Sequence, residues 1–154
     1  MENKNLNIHI SDKYIEMPNI VENGKILSDK YPDKFNDLPF DGIKCFARIE
    51  PTNTTNNKKQ KLQVWTTSFL PQPLIDLFGI HAIIFLDFDY YSSLNEAQIS
   101  LLCADIFISL TFDKALFLKP FEVKDSYDIL NNFGLNYLEN PESPNIIQNN
   151  WNWR

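Results

Sequence analysis

Alternation of apolar and polar positions marks two strands near the middle of the chain. Ile43, Cys45, Ala47 and Ile49 alternate with Lys44, Phe46, Arg48 and Glu50, and residues 62–69 are rich in β-branched and aromatic side chains. Both patterns suit a half-buried pleated surface. The stretch between them, PTNTTNNKKQ, is polar and loop-like, so the two strands are expected to form an antiparallel hairpin with a long connection. A shorter alternation over residues 6–10 predicts another strand, with Asn7 and His9 on its polar face.

Pro71 and Pro73 end the second of the central strands, and Pro73 can open a short helix that runs to about Phe78 and stops at Gly79. Residues 81–90 read as a buried strand. Ser93 and Glu96 stand at capping-box spacing and predict a helix over 94–104, although Ala97, Ile99, Leu101 and Cys103 also alternate as a strand would. Both readings of that segment stay open. Residues 106–112 and 115–123 are expected as strands joined through Asp113 and Lys114, the latter strand at an edge because of Pro120. Asp125 or Ser126 can cap a last helix through Asn132, ended by Gly134.

These elements sum to an α+β fold, a mainly antiparallel sheet of about five or six strands with about two or three helices. One domain over residues 1–154 is expected. Within it, residues 11–41 contain Pro18, Gly24, Pro32 and Pro39 and read as an irregular acidic and aromatic arm with at most short helical turns. Residues 139–154 read as a partly irregular tail.

Composition narrows the class. A chain of 154 residues with 44% hydrophobic and 22% charged content can bury a core without metal or disulfide staples, and its 14% aromatic content suggests that Phe and Tyr build much of it. The start, MENKNLNIHISDKY, lacks the basic and then apolar run of a secretory signal, and no stretch approaches the ~20 apolar residues of a spanning helix. The expected location is cytoplasmic, with no membrane partner. Cys45 and Cys103 sit in apolar surroundings without a CxxC partner and are expected as reduced core thiols, and the acceptor-like Asn53-Thr54-Thr55 then has no consequence. A formal charge of -6 argues against nucleic acid as a partner, since Lys58, Lys59 and Lys61 form the only tight basic cluster and suit a solvated hairpin tip.

Several carboxylate patterns suggest chemistry. In AIIFLDFDYY a hydrophobic strand leads to Asp87 and Asp89, which resembles the first motif of haloacid-dehalogenase-type phosphatases, where such a pair helps to hold Mg²⁺. Tyr91 stands where that family wants Thr or Val, and no later Asp-Asp pair follows. Glu96, Asp113 and then Glu122-Val123-Lys124 follow the order of PD-(D/E)xK nucleases, with carboxylates for Mg²⁺ and Lys124 to orient the attacking water. Here Phe112 replaces the motif's Pro, and Asp113 is close to Glu122 in sequence. Neither thiol has a derivable general base, His81 included, and no zinc spacing or phosphate-cradling glycine loop is present, so no cofactor or resident metal is expected.

The acidic arm offers binding instead. Asp29, Asp33, Asp37 and Asp41 recur at a spacing of four, interleaved with Tyr31, Phe35 and Phe40. Aromatic rings give contact area at low entropic cost, and carboxylates accept from Lys and Arg on a basic surface. The alternative is a capping loop whose rings plug the core and whose Asp residues start turns. Trp151 and Trp153 invite the same two readings.

In size, acidity, Asn-rich composition and aromatic content the chain resembles bacterial toxin immunity proteins. That resemblance implies a cytosolic inhibitor that occludes the active site of a cognate toxin domain with a basic surface, with Asp29, Tyr31, Asp33, Phe35, Asp37 and Asp41 as contacts and without catalysis. The alternatives are the Mg²⁺-dependent nuclease built on Glu96, Asp113, Glu122 and Lys124, and an adaptor domain without inhibitory action.

Overall fold

Strand β1 (Tyr14–Glu16) and helix α1 (Pro18–Lys30) open the part of the chain that the computed structural model describes, residues 13–35, 37–49, 64–112, 116–118, 127–134 and 136–154. The chain forms two compact units, Met1–Val21 with Asp41–Ser93 and Glu22–Phe40 with Leu94–Arg154, so that α1 begins in the first and ends in the second. Expected features over residues 6–10, 36, 50–63, 113–115, 119–126 and 135 lie outside the described residues.

The first unit is a mixed four-stranded sheet in the order β1-β2-β4-β3, with β2 (Ile43–Arg48), β3 (Trp65–Phe69) and β4 (Ala82–Asp87). The alternation read in residues 43–48 holds: Ile43, Cys45 and Ala47 are buried. In the parallel register of β2 on β4 they pair with the buried Ala82, Ile84 and Leu86. On the opposite face Tyr14 and Phe85 pack with ring centroids 5.8 Å apart, and the Arg48 guanidinium lies 5.4 Å above Phe85.

The expected hairpin between residues 43–50 and 62–69 does not form, because β4 lies between β2 and β3 and pairs with β3 antiparallel. The physical reason is in the side chains. Ala82-Ile83-Ile84-Phe85-Leu86 is apolar on both faces and suits the sheet interior, whereas β3, with Thr66, Thr67 and Ser68 at its centre, tolerates an edge.

Between β3 and β4, helix α2 (Gln72–Phe78) starts after Pro71 and stops at Gly79, whose φ of 71° is the left-handed cap and whose N–H donates to the Ile75 carbonyl at 2.7 Å. The expected strand over 81–90 is shorter. It ends at Asp87, whose carboxylate accepts from the Tyr90 N–H at 3.2 Å and caps α3 (Phe88–Ser92).

Helix α4 (Glu96–Ser109) settles the open choice over 94–104 in favour of a helix, with a different cap. Asn95 Oδ1 accepts from the Gln98 N–H and Gln98 Oε1 accepts from the Asn95 N–H, each at 2.8 Å, so the box is built on Asn95 and Gln98, not on Ser93 and Glu96. The helix also absorbs residues 106–109, expected as strand. Every residue from 100 to 109 is buried, and a helix buried all round shows no 3.6-residue apolar stripe to read. Strand β5 (Leu110–Phe112) pairs antiparallel with β6 (Leu116–Leu118), and α5 (Tyr127–Phe133) ends at Gly134, where φ is 86°. The class is thus α+β, with a four-stranded mixed sheet and a separate two-stranded ladder in place of one mainly antiparallel sheet of five or six strands.

The arm over residues 11–41 is also more regular than expected, since it holds the 13-residue α1. Pro18 suits the first helical position, and Ile20, Gly24 and Leu27 are buried at helical spacing. Gly24 depresses helix propensity by ~1 kcal/mol, which hid the helix in the sequence. It is required by packing: a β-carbon there would lie 2.7 Å from Cε2 of the fully buried Phe107.

Cys45 and Cys103 are buried thiols that form no disulfide. Burial pushes the Cys103 thiol up to about 12, only partly offset by Asn23 Nδ2 at 3.7 Å. At about pH 8 neither thiol is expected to react with an aromatic disulfide reagent in the native protein, and both should react once guanidinium unfolds it. A stoichiometric native signal would show that one of these sites opens readily. Among the described residues no helix is long and apolar enough to cross a membrane.

Candidate functional site

The acidic segment grows out of the last turn of α1. The Tyr31 N–H donates to the Leu27 carbonyl at 2.8 Å, and the Lys34 and Phe35 N–H groups donate back to the Tyr31 carbonyl at 3.0 and 3.2 Å, which closes a tight turn. The turn sorts the segment's side chains. Asp29, Asp33 and Asp37 are exposed, and none of them forms an ion pair with another described residue, whereas Phe35 is buried and Tyr31 half-buried. Asp41 is exposed in the first unit, in a 3-10 turn over Phe40–Gly42.

Tyr31 and Phe35 face a segment that the sequence did not connect with them. Lys30 Nζ donates to the carbonyls of Ile146, Ile147 and Asn149 at 3.1, 2.7 and 2.8 Å. These oxygens come together because Asn145 Oδ1 accepts from the Ile147 and Gln148 N–H groups and winds residues 145–149 into a turn. The Tyr31 hydroxyl donates to the Ile146 carbonyl at 2.8 Å and accepts from the Trp151 N–H at 2.9 Å. Burial pushes this phenol above its ordinary value and the Trp151 hydrogen bond partly offsets the rise, so Tyr31 keeps the proton that it donates.

The two tryptophans tuck back. Trp153 packs edge-on against Tyr31, Phe35 and Phe133 at centroid distances of 5.6, 6.3 and 5.5 Å, and Trp151 lies 4.9 Å from Phe133. Such pairs contribute ~0.5–1.5 kcal/mol each beyond the area they bury. Asn132 Oδ1 accepts from Trp151 Nε1 at 3.2 Å and from the Arg154 N–H at 2.8 Å. Lys34 Nζ sits 5.8 Å over the Trp153 ring and 3.5 Å from Asp128, a part-exposed ion pair worth ~0–1 kcal/mol. One polar atom is left over. Trp153 Nε1 is buried without a hydrogen-bond partner, which costs ~1–3 kcal/mol.

Comparison with protein-family models, with curated proteins and with solved structures finds no match for this chain.

The other candidates fare differently. Asp87 caps α3 and Asp89 is exposed in its first turn, so the pair does not extend from one strand as the phosphatase-like string implied. Of the nuclease-like set, Glu96 is exposed in the first turn of α4, and Asp113, Glu122 and Lys124 lie outside the described residues. Among the described residues no group of three His, Cys, Asp or Glu side chains could hold a metal ion. Lys30 and Asn132 were missed by the sequence reading, whereas a tucked-back Trp153 was one of its two alternatives. No local signal pairs Lys30 with its acceptors, which are the carbonyls of Ile146, Ile147 and Asn149 and not those of the last turn of α1.

Proposed function

We propose that this protein acts by binding, as an immunity-type inhibitor whose exposed carboxylates Asp29, Asp33 and Asp37 meet Lys and Arg side chains around the active cleft of a cognate toxin domain in the cytosol. The single observation that carries the reading is the sorting of the acidic segment. Its carboxylates face solvent unpaired by described residues, while Tyr31 and Phe35 hold the backbone beneath them. Exposed carboxylates on a protein of net charge -6 steer a basic partner and select against acidic ones. The rings therefore act as support, and the contact falls to the carboxylates. Occlusion needs no covalent step.

The test is co-purification from the native host, followed by affinity measurements on the recovered partner at two salt concentrations. Reversal of Asp33 and Asp37 to Lys is expected to weaken binding by about tenfold or more, roughly 1.4 kcal/mol, mostly through slower association, and to flatten the salt dependence. Unchanged affinity and salt dependence would remove the segment from the interface. The adaptor reading has one observation in its favour, since Leu74, Leu77 and Phe78 of α2 are exposed, Leu77 at 73%. Loss of the partner on Leu77→Glu with full retention on the Asp reversals would favour that reading.

A further inference from the structure

Residues 145–154 are anchored at two points of unequal depth. Ile146 is fully buried, and its carbonyl takes both Lys30 Nζ and the Tyr31 hydroxyl. Residues 148–150 are exposed, and beyond them Trp151 and Trp153 are only half-buried, with Asn152 and Arg154 exposed between and after them. The shallow anchor is also imperfect, because the indole N–H of Trp153 finds no acceptor in its seat. Among the described residues, the hydrogen bonds and ring contacts of the shallow anchor reach α5, through Asn132 and Phe133, and the acidic segment, through Tyr31, Lys34 and Phe35.

We infer that residues 145–154 form a releasable strap: with Trp153 seated, the turn over residues 31–35, which carries Asp33 between Asp29 and Asp37, is held in one conformation, and lifting residues 151–154 loosens that turn while Ile146 stays in place. The hinge falls at the exposed Asn150, just beyond the Asn149 carbonyl that Lys30 and Tyr31 hold. Phe35 is the lever, being buried under the Trp153 ring while its own N–H closes the turn on the Tyr31 carbonyl. Seating thus converts a flexible acidic segment into a preorganised one, which lowers the ordering cost of binding. The inference rests on the reading of that segment as the binding face, but its test needs no partner.

Hydrogen exchange of the full chain reports directly on the amides of Lys34 and Phe35, with the amides of α4 as the internal reference. Trp153→Ala, and separately a chain ended after Asn150, are expected to speed exchange at Lys34 and Phe35 by about tenfold or more and to leave α4 unchanged. Trp153→Phe keeps a ring against Tyr31 and Phe35 and removes the unpaired N–H, so exchange there is expected to stay within about twofold of the native rate. Two results overturn the strap. One is unchanged exchange at Lys34 and Phe35 in both disrupting variants. The other is acceleration of α4 to the same extent, which would make residues 151–154 part of the unit's global fold. If the strap fails while charge reversal still weakens the partner, the binding reading stands without it. If charge reversal has no effect while exchange responds as expected, the strap stands and the binding face lies elsewhere.

Discussion

Replacing Phe107 with alanine is expected to destabilise the second unit by about 3–5 kcal/mol, the range for removing a fully buried aromatic ring from a core that cannot collapse around the space. Phe107 is wholly buried in the middle of α4, packs against Phe40 with centroids 5.7 Å apart, and lies against the bare backbone of Gly24. For a chain of this size the loss corresponds to a fall in Tm of roughly 6–20 °C, measurable by scanning calorimetry. The contact with Gly24 supplies an internal check. In the native background Gly24→Ala would press a β-carbon to 2.7 Å from the ring, but in Phe107→Ala that carbon has room and also gains helix propensity. Adding Gly24→Ala to Phe107→Ala should therefore recover about 1 kcal/mol. A double variant less stable than Phe107→Ala alone would show that Gly24 is needed for something besides the ring.

Lys30→Met is expected to cost about 2–3 kcal/mol, because the methionine keeps the apolar stem and removes an ammonium that three backbone carbonyls share. Two of those hydrogen bonds are part-buried, so water replaces them poorly, and the Ile146 oxygen keeps only Tyr31. Urea unfolding measures the loss. A change below about 0.5 kcal/mol would mean that solvent substitutes fully for the ammonium at this turn.

Local pattern carried the sequence reading where a residue's neighbours in sequence are also its neighbours in space. The alternation of residues 43–48, the stop at Gly79 and the end of α5 at Gly134 all follow from backbone preferences that act over a few residues. The failures share a different cause. The pairing of β2 with β4 in place of β3 depends on which strand can be apolar on both faces, a comparison between segments and not within one. Residues 106–109 look like strand because a fully buried helix has no polar side to betray its period. Asp87 resembles a catalytic carboxylate in sequence because a helix cap and a metal ligand use the same side chain.

The acidic segment was legible in part. Its Asp residues recur at a spacing of four, and Asp29, Asp33 and Asp37 are exposed. What could not be read was where Tyr31 and Phe35 pack. Tyr31 and Phe35 pack on Trp153, and nothing in the local sequence announces a neighbour 120 positions away, as for the Tyr31 hydroxyl and the Trp151 N–H.

The interleaving of the two units also sets a timetable for a chain that is made from one end. Every residue of the first unit has been added once Ser93 is in place, yet the Ile146 carbonyl that Lys30 binds comes 116 residues after Lys30 itself. At ~5–20 residues per second that gap lasts roughly 6–23 s, and a helix as short as α1 is marginal in water until something packs on it. During that interval the acidic segment lacks the partners of Lys30 and Tyr31. The hydrogen bonds and ring contacts that hold Tyr31 and Phe35 form only after residues 146–153 have been made.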